Sequence, residues 1–374
     1  MPSNGPIKFF IIAGEPSGDL HGAKLIQAIK SINNNTSFMG HGGDLMQNEG
    51  MKIIEHTNNL SIMGFKEVIM HLPRMLKIMK KTIKIIESVK PDKIILIDYP
   101  GFNLRLAKNI NHLNVPIFYF ILPQAWAWKS KRVKLMKKTL SQSFSIFPFE
   151  KKWYQSKGLS VKYYGHPFVE NEHLNENTKQ FFKRQNLNPK KPILTLLPGS
   201  RQQEIDRHWH IFLKTVELVK KLQPNVQIIL AKSNNVHIQN IPKYYCIESN
   251  SKKAILVASV ALVASGTATL ECGIERVPIV VCYKLSFFSW IIAKYIIRIK
   301  YISIVNLIAE KKIVPEYIQS EMKPIKMRDK LIELLDPMSK SRLLMLKNLE
   351  QMKIKLGAPG VYKNVAESII KEGS

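Results

Sequence analysis

Twice along this chain a short apolar, largely β-branched run ends in a glycine-containing turn and gives way to a helical pattern. This recurrence constrains the fold more than any other feature. The run at 8–13 leads into Gly14-Glu15-Pro16-Ser17-Gly18-Asp19 and a helix to about residue 29. The run at 193–197 leads into Pro198-Gly199-Ser200-Arg201, with a helix over 211–222. Further strands are expected at 93–98, 115–122, 143–149, 161–164, 226–231, 261–264 and 279–283. Runs that are apolar throughout, without alternation, fit strands buried on both faces of a parallel sheet. The expected fold class is therefore α/β: two doubly wound, Rossmann-like domains facing across a cleft, with a helical C-terminal part from about Pro324. The first domain should cover 1–167, ending at Gly165-His166-Pro167, and be completed by a helix over 355–374. The second should cover 168–354. In such sheets ligands collect in the cleft, at the carboxyl ends of the strands.

The length of 374 residues suits two cores, and 45% hydrophobic residues supply them. Cys246, Cys272 and Cys282 form no CxxC pair, so neither a disulfide framework nor a zinc site is indicated, and a reducing compartment fits. The first residues carry no basic segment and no small-residue cleavage site, so no signal peptide is read. The most apolar stretch, 277–297, is interrupted by Lys284 and Lys294 and is expected to be a strand followed by an apolar helix, not a membrane span. The formal net charge is +28. Such a field attracts polyanions or an anionic lipid surface; equally, a general Lys, Ile and Asn bias produces it. No nucleic-acid-reading motif accompanies the charge.

Asp98 ends a buried strand and precedes Tyr99-Pro100-Gly101-Phe102-Asn103. A desolvated carboxylate at a strand end can act as a general base; it can also simply cap the next helix. The Gly14–Asp19 turn offers close backbone approach and helix N-terminal amides to a ligand, or is an ordinary strand-to-helix turn capped by Ser17 or Asp19. From this turn Glu15 joins Asp98 as a catalytic candidate, and Ser17 joins the nucleotide-binding ones. In the second half, the amides of Gly199 and Ser200 and the guanidinium fork of Arg201 suit a diphosphate. Gly266 and Thr267, in Ser265-Gly266-Thr267-Ala268-Thr269-Leu270-Glu271, make a second phosphate cradle, and Glu271 can accept both ribose hydroxyls. The alternatives are a surface turn and a helix cap with a dipole-complementing acid.

Residues 61–86 carry a different signal. Met63, Phe65, Val68, Ile69 and Leu72 are apolar with little polar relief, and a lipid or acyl-chain contact is expected there. A helix starting at Pro73 places Met75, Leu76, Met79, Ile83 and Ile86 on one face and Arg74, Lys77, Lys81 and Lys84 largely on another. That pattern suits an anionic membrane surface, or a normal amphipathic helix packed on the sheet, the reading preferred for this helix. Trp126-Ala127-Trp128-Lys129, followed by Ser130-Lys131-Arg132, sets aromatics beside cations, for nucleic acid or sugar faces, or equally for domain packing beside a solvated basic loop. His166 reads as structural.

Taken in order, Ala13 to Asp19, Ile97 to Asn103, Trp126-Ala127-Trp128, Gly165-His166-Pro167, Leu197 to Arg201 and Ser265 to Glu271 resemble the lipid-A-disaccharide synthases over nearly the whole chain. The resemblance implies a glycosyltransferase B-type fold with neither metal nor cofactor. It implies inverting transfer of 2,3-diacylglucosamine from UDP to the 6-hydroxyl of 2,3-diacylglucosamine 1-phosphate. It also implies peripheral attachment to the inner face of the cytoplasmic membrane, and a homodimer with exchanged C-terminal segments. By position Asp98 matches an acid important for activity, Arg201 and Glu271 match nucleotide-site residues, and Asn306 matches a nucleotide-side asparagine. Gly101 stands where some members have an acid, and Lys129 where some have Arg.

Overall fold

In the computed structural model, which describes residues 5–60, 72–170, 178–286, 290 and 300–372, the apolar runs form the centres of two parallel sheets. The described residues divide into two units, Met1–Glu170 with Gly357–Ser374, and Asn171–Leu356.

The first unit opens with β1 (Ile7–Ala13), α1 (Pro16–Ile32), β2 (Thr36–Gly42), α2 (Asp44–Asn48), β3 (Lys52–His56) and α3 (Thr57–Leu60). It continues with α4 (Leu72–Val89), β4 (Lys93–Ile97), α5 (Pro100–Ile110), β5 (Ile117–Phe120), α6 (Ala125–Trp128), α7 (Arg132–Thr139), β6 (Gln142–Ser145), α8 (Pro148–Ser156) and β7 (Lys162–Tyr163). The sheet order is β3-β2-β1-β4-β5-β6-β7. β1 pairs in parallel with β2 on one side and β4 on the other, so the winding reverses between β1 and β4. The loops leaving these two strands, with Glu15 and Asp98, therefore meet at a switch point, where open α/β sheets place ligands. Helices α4 and α5 cover the sheet through Ile78, Met79, Ile86, Phe102 and Leu106, packed with Phe10, Ile12, Ile94 and Leu96.

The second unit runs α9 (Thr178–Arg184), β8 (Ile193–Leu197), α10 (Gln202–Leu222), β9 (Gln227–Ala231), β10 (Tyr245–Glu248), α11 (Ser251–Leu256) and β11 (Val260–Ala264). Then follow α12 (Thr267–Ile274), β12 (Ile279–Tyr283), α13 (Ile304–Ala309), β13 (Glu316–Ile318), α14 (Pro324–Leu335) and α15 (Lys340–Lys355). Its order is β10-β9-β8-β11-β12-β13, and here the winding reverses between β8 and β11.

Helix α16 (Val361–Lys371) belongs to the first unit. It lies against α1, where the Tyr362 hydroxyl and the His21 ring are 2.7 Å apart. The buried Nζ of Lys93, in β4, donates to the carbonyls of Ile369, Ile370 and Glu372 at 2.7, 2.9 and 2.5 Å. These are groups that a helix C-terminus cannot satisfy internally, and a cation suits that end of the dipole.

Several element boundaries differ from the sequence pattern. The expected strand at 143–149 ends at Ser145, because Pro148 opens a helix there. The strand expected at 115–122 spans Ile117–Phe120 only: Pro116 precedes it, and Ile121 adopts φ 63° just after it. The helix expected from 211 begins nine residues earlier, at Gln202. Strands β2, β3, β10 and β13 carry glycine or charged residues and gave no apolar run to detect. Among the described residues no helix is long and apolar enough to cross a membrane.

Candidate functional site

At the first switch point the backbone is held in an uncommon state. Asp98 and Tyr99 have φ of 44° and 47°, and Ile121, one strand over, has 63°. Positive φ is unusual outside glycine and strained for a β-branched residue; such strain gathers at functional sites where surrounding bonds enforce it. The bonds here are specific. Asp98 N–H donates to Phe120 O at 3.1 Å, while its own carbonyl accepts from Tyr119 Oη at 2.5 Å and Asn103 Nδ2 at 2.8 Å. The carboxyl is left at the strand end. Burial, and then the nearby negative charge of Glu15, raise its pKa from an ordinary 3.8 to about 6. Asp98 is not the cap of α5; Tyr99 occupies that position.

The Gly14–Asp19 turn serves this arrangement in a way the sequence did not indicate. A β-carbon on Gly14 would lie 2.2 Å from Tyr99 Cδ1, so its missing side chain makes room for the Tyr99 ring and not for a ligand. Nor does Asp19 cap α1. Its buried carboxylate accepts from the amides of Gly43, Leu45 and Met46 and so caps α2. Glu15 occupies the N-cap position of α1.

Tyr99, the residue after Asp98, lines a groove of about 320 Å³ between α4 and α5, together with Leu72, Met75, Leu76, Met79, Gly101, Phe102, Arg105 and Asn109 among the described residues. Arg105 belongs to a cationic group. Burial lowers the Lys129 amine, and Arg132 and Arg105 push it the same way. Leu72 lines the groove, whereas Met63, Phe65, Val68 and Ile69 lie outside the described residues. Helix α4 buries Ile78, Met79, Thr82 and Ile86 and exposes Leu76 (52%), so it is packed on the sheet yet keeps apolar surface outward.

Trp126 is committed to its own unit. Its indole packs edge-on against Phe149 at 5.0 Å, and Nε1 donates to Glu150 Oε1 at 2.9 Å. Glu150 is wholly buried, and that burial raises its pKa to about 8 against the opposing pull of the Trp126 and Phe147 N–H bonds. The Tyr154 hydroxyl donates to Pro123 O, so α8 grips both α6, through Trp126, and the segment just before it. Tyr119, Asn103 and Glu150 were not singled out from sequence. A hydroxyl tip inside Ile117-Phe118-Tyr119-Phe120 and an acid inside Pro148-Phe149-Glu150 were the available signals. His166 is buried and accepts from the Phe168 amide, a structural role as expected.

The second switch point bears a cavity of about 730 Å³ in the second unit, within the range of small-ligand sites. Gly199, Ser200 and Arg201 line one rim, and Ser265, Gly266 and Thr267 another, with Glu271, Ser251, Asn235 and Tyr283 around them. The N-terminus of α12 opens into it, with Gly266 as N-cap. Burial raises the Glu271 carboxyl, against the Lys252 charge and a bond from Ser251 Oγ at 3.4 Å.

Two expectations are corrected here. The Ser200 amide is not a free phosphate donor: it donates to Glu204 Oε2 at 3.0 Å, and Arg201 N to the same oxygen at 3.3 Å. Gly199, at φ 132°, lies so close to Glu204 that an added β-carbon would be 2.6 Å from it. Asn306 is wholly buried and saturated. Its Nδ2 donates to Val314 O and Glu316 Oε1, and its Oδ1 accepts from Ile313 N and Val314 N, leaving no capacity for a nucleotide. Ser17 lies in the first unit, in the first turn of α1.

The family described as lipid-A-disaccharide synthetase matches residues 9–368. The lipid-A-disaccharide synthase of Myxococcus xanthus (strain DK1622) is 33% identical over 98% of this chain and 97% of its own. That of Coxiella burnetii (strain CbuG_Q212) is 32% identical over 96% of each. Among solved structures, the calicheamicin glycosyltransferase CalG4 superposes with a TM-score of 0.61 at 12% identity, over 99% of this chain and 100% of that one. The UDP-GlcNAc 2-epimerase of Neisseria meningitidis bound to UDP-GlcNAc gives 0.66 at 12%, over 98% and 100%. At that identity the likeness concerns the fold, the two-domain glycosyltransferase B type.

Proposed function

Because this chain belongs to the lipid-A-disaccharide synthase family, we propose that its two switch points divide the work of joining two acylated glucosamines: acceptor chemistry at Asp98, nucleotide binding at the cavity of the second unit. The enzyme is an inverting hexosyltransferase of lipid A biosynthesis. It moves 2,3-diacylglucosamine from UDP to 2,3-diacylglucosamine 1-phosphate, forming the β-1,6-linked disaccharide 1-phosphate and releasing UDP.

Asp98 removes the proton of the acceptor 6-hydroxyl. The freed oxygen forms a bond to the anomeric carbon as that carbon's bond to the UDP oxygen breaks. A carboxyl titrating near 6 is largely ionised at neutral pH yet basic enough to pull on an alcohol proton. Glu15 holds that basicity up. The negative charge growing on the diphosphate is met by the Arg201 guanidinium and the N-terminus of α12 at Gly266 and Thr267, while Glu271 takes the ribose hydroxyls. The Gly199 amide assists once Glu204 has settled the turn.

The observation that carries this reading is that Tyr99, the residue after the high-pKa Asp98, lines the apolar groove together with Gly101. An acyl chain in that groove brings its sugar to the base, and the cations Arg105, Lys129 and Arg132 suit the 1-phosphate. Exposed Leu72 and Leu76, with Arg74, Lys77, Lys80, Lys81 and Lys84 on the same helix, support docking of the first unit on an anionic bilayer. We place it peripherally on the inner face of the cytoplasmic membrane. In a homodimer with exchanged C-terminal segments, the contacts that α16 makes with β4 and α1 would form between copies.

The test is a product assay with purified protein, detergent, both acylated substrates and excess EDTA, followed by mass spectrometry. The disaccharide 1-phosphate together with UDP is the expected result. Turnover of unacylated UDP-sugars alone would keep the fold and discard the lipid substrate.

A further inference from the structure

His208 lies on α10 with no exposed surface, its ring packed between Phe212 and Tyr283 at centroid distances of 6.3 and 5.9 Å. Both ring nitrogens are used. Nδ1 is 2.9 Å from the carbonyl oxygen of Pro198, and Nε2 is 3.0 Å from the amide of Lys284. A carbonyl can only accept and an amide N–H can only donate, so Nδ1 carries the proton and Nε2 is bare. The pattern requires a neutral ring. Burial favours that state, as do Arg207 and Lys284, while the Pro198 bond and Glu204 oppose it.

The two partners lie at the ends of strands that do not touch. Pro198 follows β8 and Lys284 follows β12, and β11 runs between them. Pro198 leads into Gly199-Ser200-Arg201, which line one rim of the cavity, and Lys284 follows Tyr283, which lines another. The loop leaving β11, with Ser265 and Gly266, lies between. Sheet pairing fixes β8 against β11 and β11 against β12, but the turn after β8 has left the ladder. One rigid imidazole thus ties together two loops that the sheet does not join directly.

We infer that His208 is a positioning residue for nucleotide binding: it bridges the turn after β8 to the residue after β12 and thereby sets the spacing of the diphosphate-binding rim against Tyr283. The inference rests on the cavity being the nucleotide site. His208 touches no ligand itself. Its effect passes through the placement of Arg201 and Tyr283.

The test is calorimetric titration of the full chain with UDP, alongside steady-state kinetics and thermal melting. His208→Leu fills the same space and removes both bonds. It is expected to weaken UDP binding about tenfold or more and to raise KM for the UDP-sugar in step, with the smaller effect on kcat. His208→Asn keeps a donor near the Nδ1 position and His208→Gln an acceptor near Nε2, so each should fall between wild type and His208→Leu. Cooperative melting of these variants, with UDP affinity within twofold of wild type for all, overturns the inference. Should His208→Leu not fold, the Asn and Gln variants decide by the same criterion. A wild-type protein that binds no UDP removes the cavity assignment itself, an outcome distinct from wild-type binding left unchanged by the substitutions.

Discussion

The hydroxyl of Tyr119, at the centre of β5, donates to the backbone carbonyl of Asp98, at the end of β4, across 2.5 Å. A wholly buried ring therefore supports the strained residue that carries the base. Tyr119→Phe preserves the ring and leaves that carbonyl to Asn103 alone. We expect about 1 kcal/mol less stability in urea unfolding and about a tenfold loss of kcat, because small displacements of a catalytic group are costly. Unchanged kcat would mean that Asn103 suffices to place Asp98.

Activity should follow the ionisation of Asp98. The rate profile of kcat/KM is expected to rise through about pH 6 and level off above it. Glu15→Gln removes a negative charge that raises this pKa, so its limb should move to lower pH. Asp98→Asn should lose the limb and on the order of 100-fold or more in kcat. Stability has the opposite sign. The folded pKa lies above the ordinary 3.8, so the folded state favours the neutral acid, and stability falls as pH rises from about 4 to about 6. Asp98→Asn should be more stable than wild type at pH 7, and less sensitive to pH below that.

The groove beside the base can be narrowed from a position that has room. A β-carbon on Gly101 would meet nothing within 4 Å, and Gly101 lines the groove. Gly101→Phe is expected to fold normally and to shift preference toward shorter acyl chains, read as relative kcat/KM for substrates differing only in chain length. A selectivity profile identical to wild type would remove the acyl chain from this groove.

Glu150 is an acid with no exposed surface whose nearest partners are N–H groups. Its folded pKa of about 8 exceeds the ordinary 4.5, so its contribution to stability should decline as pH rises between these values. Denaturant unfolding at pH 6 and pH 9 should show wild type weaker at pH 9, and Glu150→Gln should shrink the difference. Glu150→Ala leaves the Trp126 indole N–H without its acceptor and is expected to cost about 2 kcal/mol.

Most of the sheet centres were legible because both faces of those strands are covered: Ile193–Leu197 and Ile279–Tyr283 coincide with their apolar runs. Edge strands were not, since β3 and β13 need little apolar surface and read as polar segments. The rims were legible as glycine-bearing strand ends. What those glycines do was not: Gly14 makes room for Tyr99, a contact across 85 positions that no local pattern encodes. Asn306 shows the reverse failure. Its matching position indicated a ligand contact, but the hydrogen-bond count that fills its amide exists only in three dimensions. His208 gave no local signal either, because its two partners lie 10 and 76 positions away.

The ammonium of Lys93 is received by carbonyls that lie 276 or more positions further along the chain. On a ribosome, β4 is therefore exposed to solvent and chaperones long before its final partners exist. The second unit, synthesised later, is the one whose sequence is continuous. In the first unit the buried cation stays unmatched until α16 is made. An early stop codon upstream of α16 would thus damage the half of the protein that was translated first.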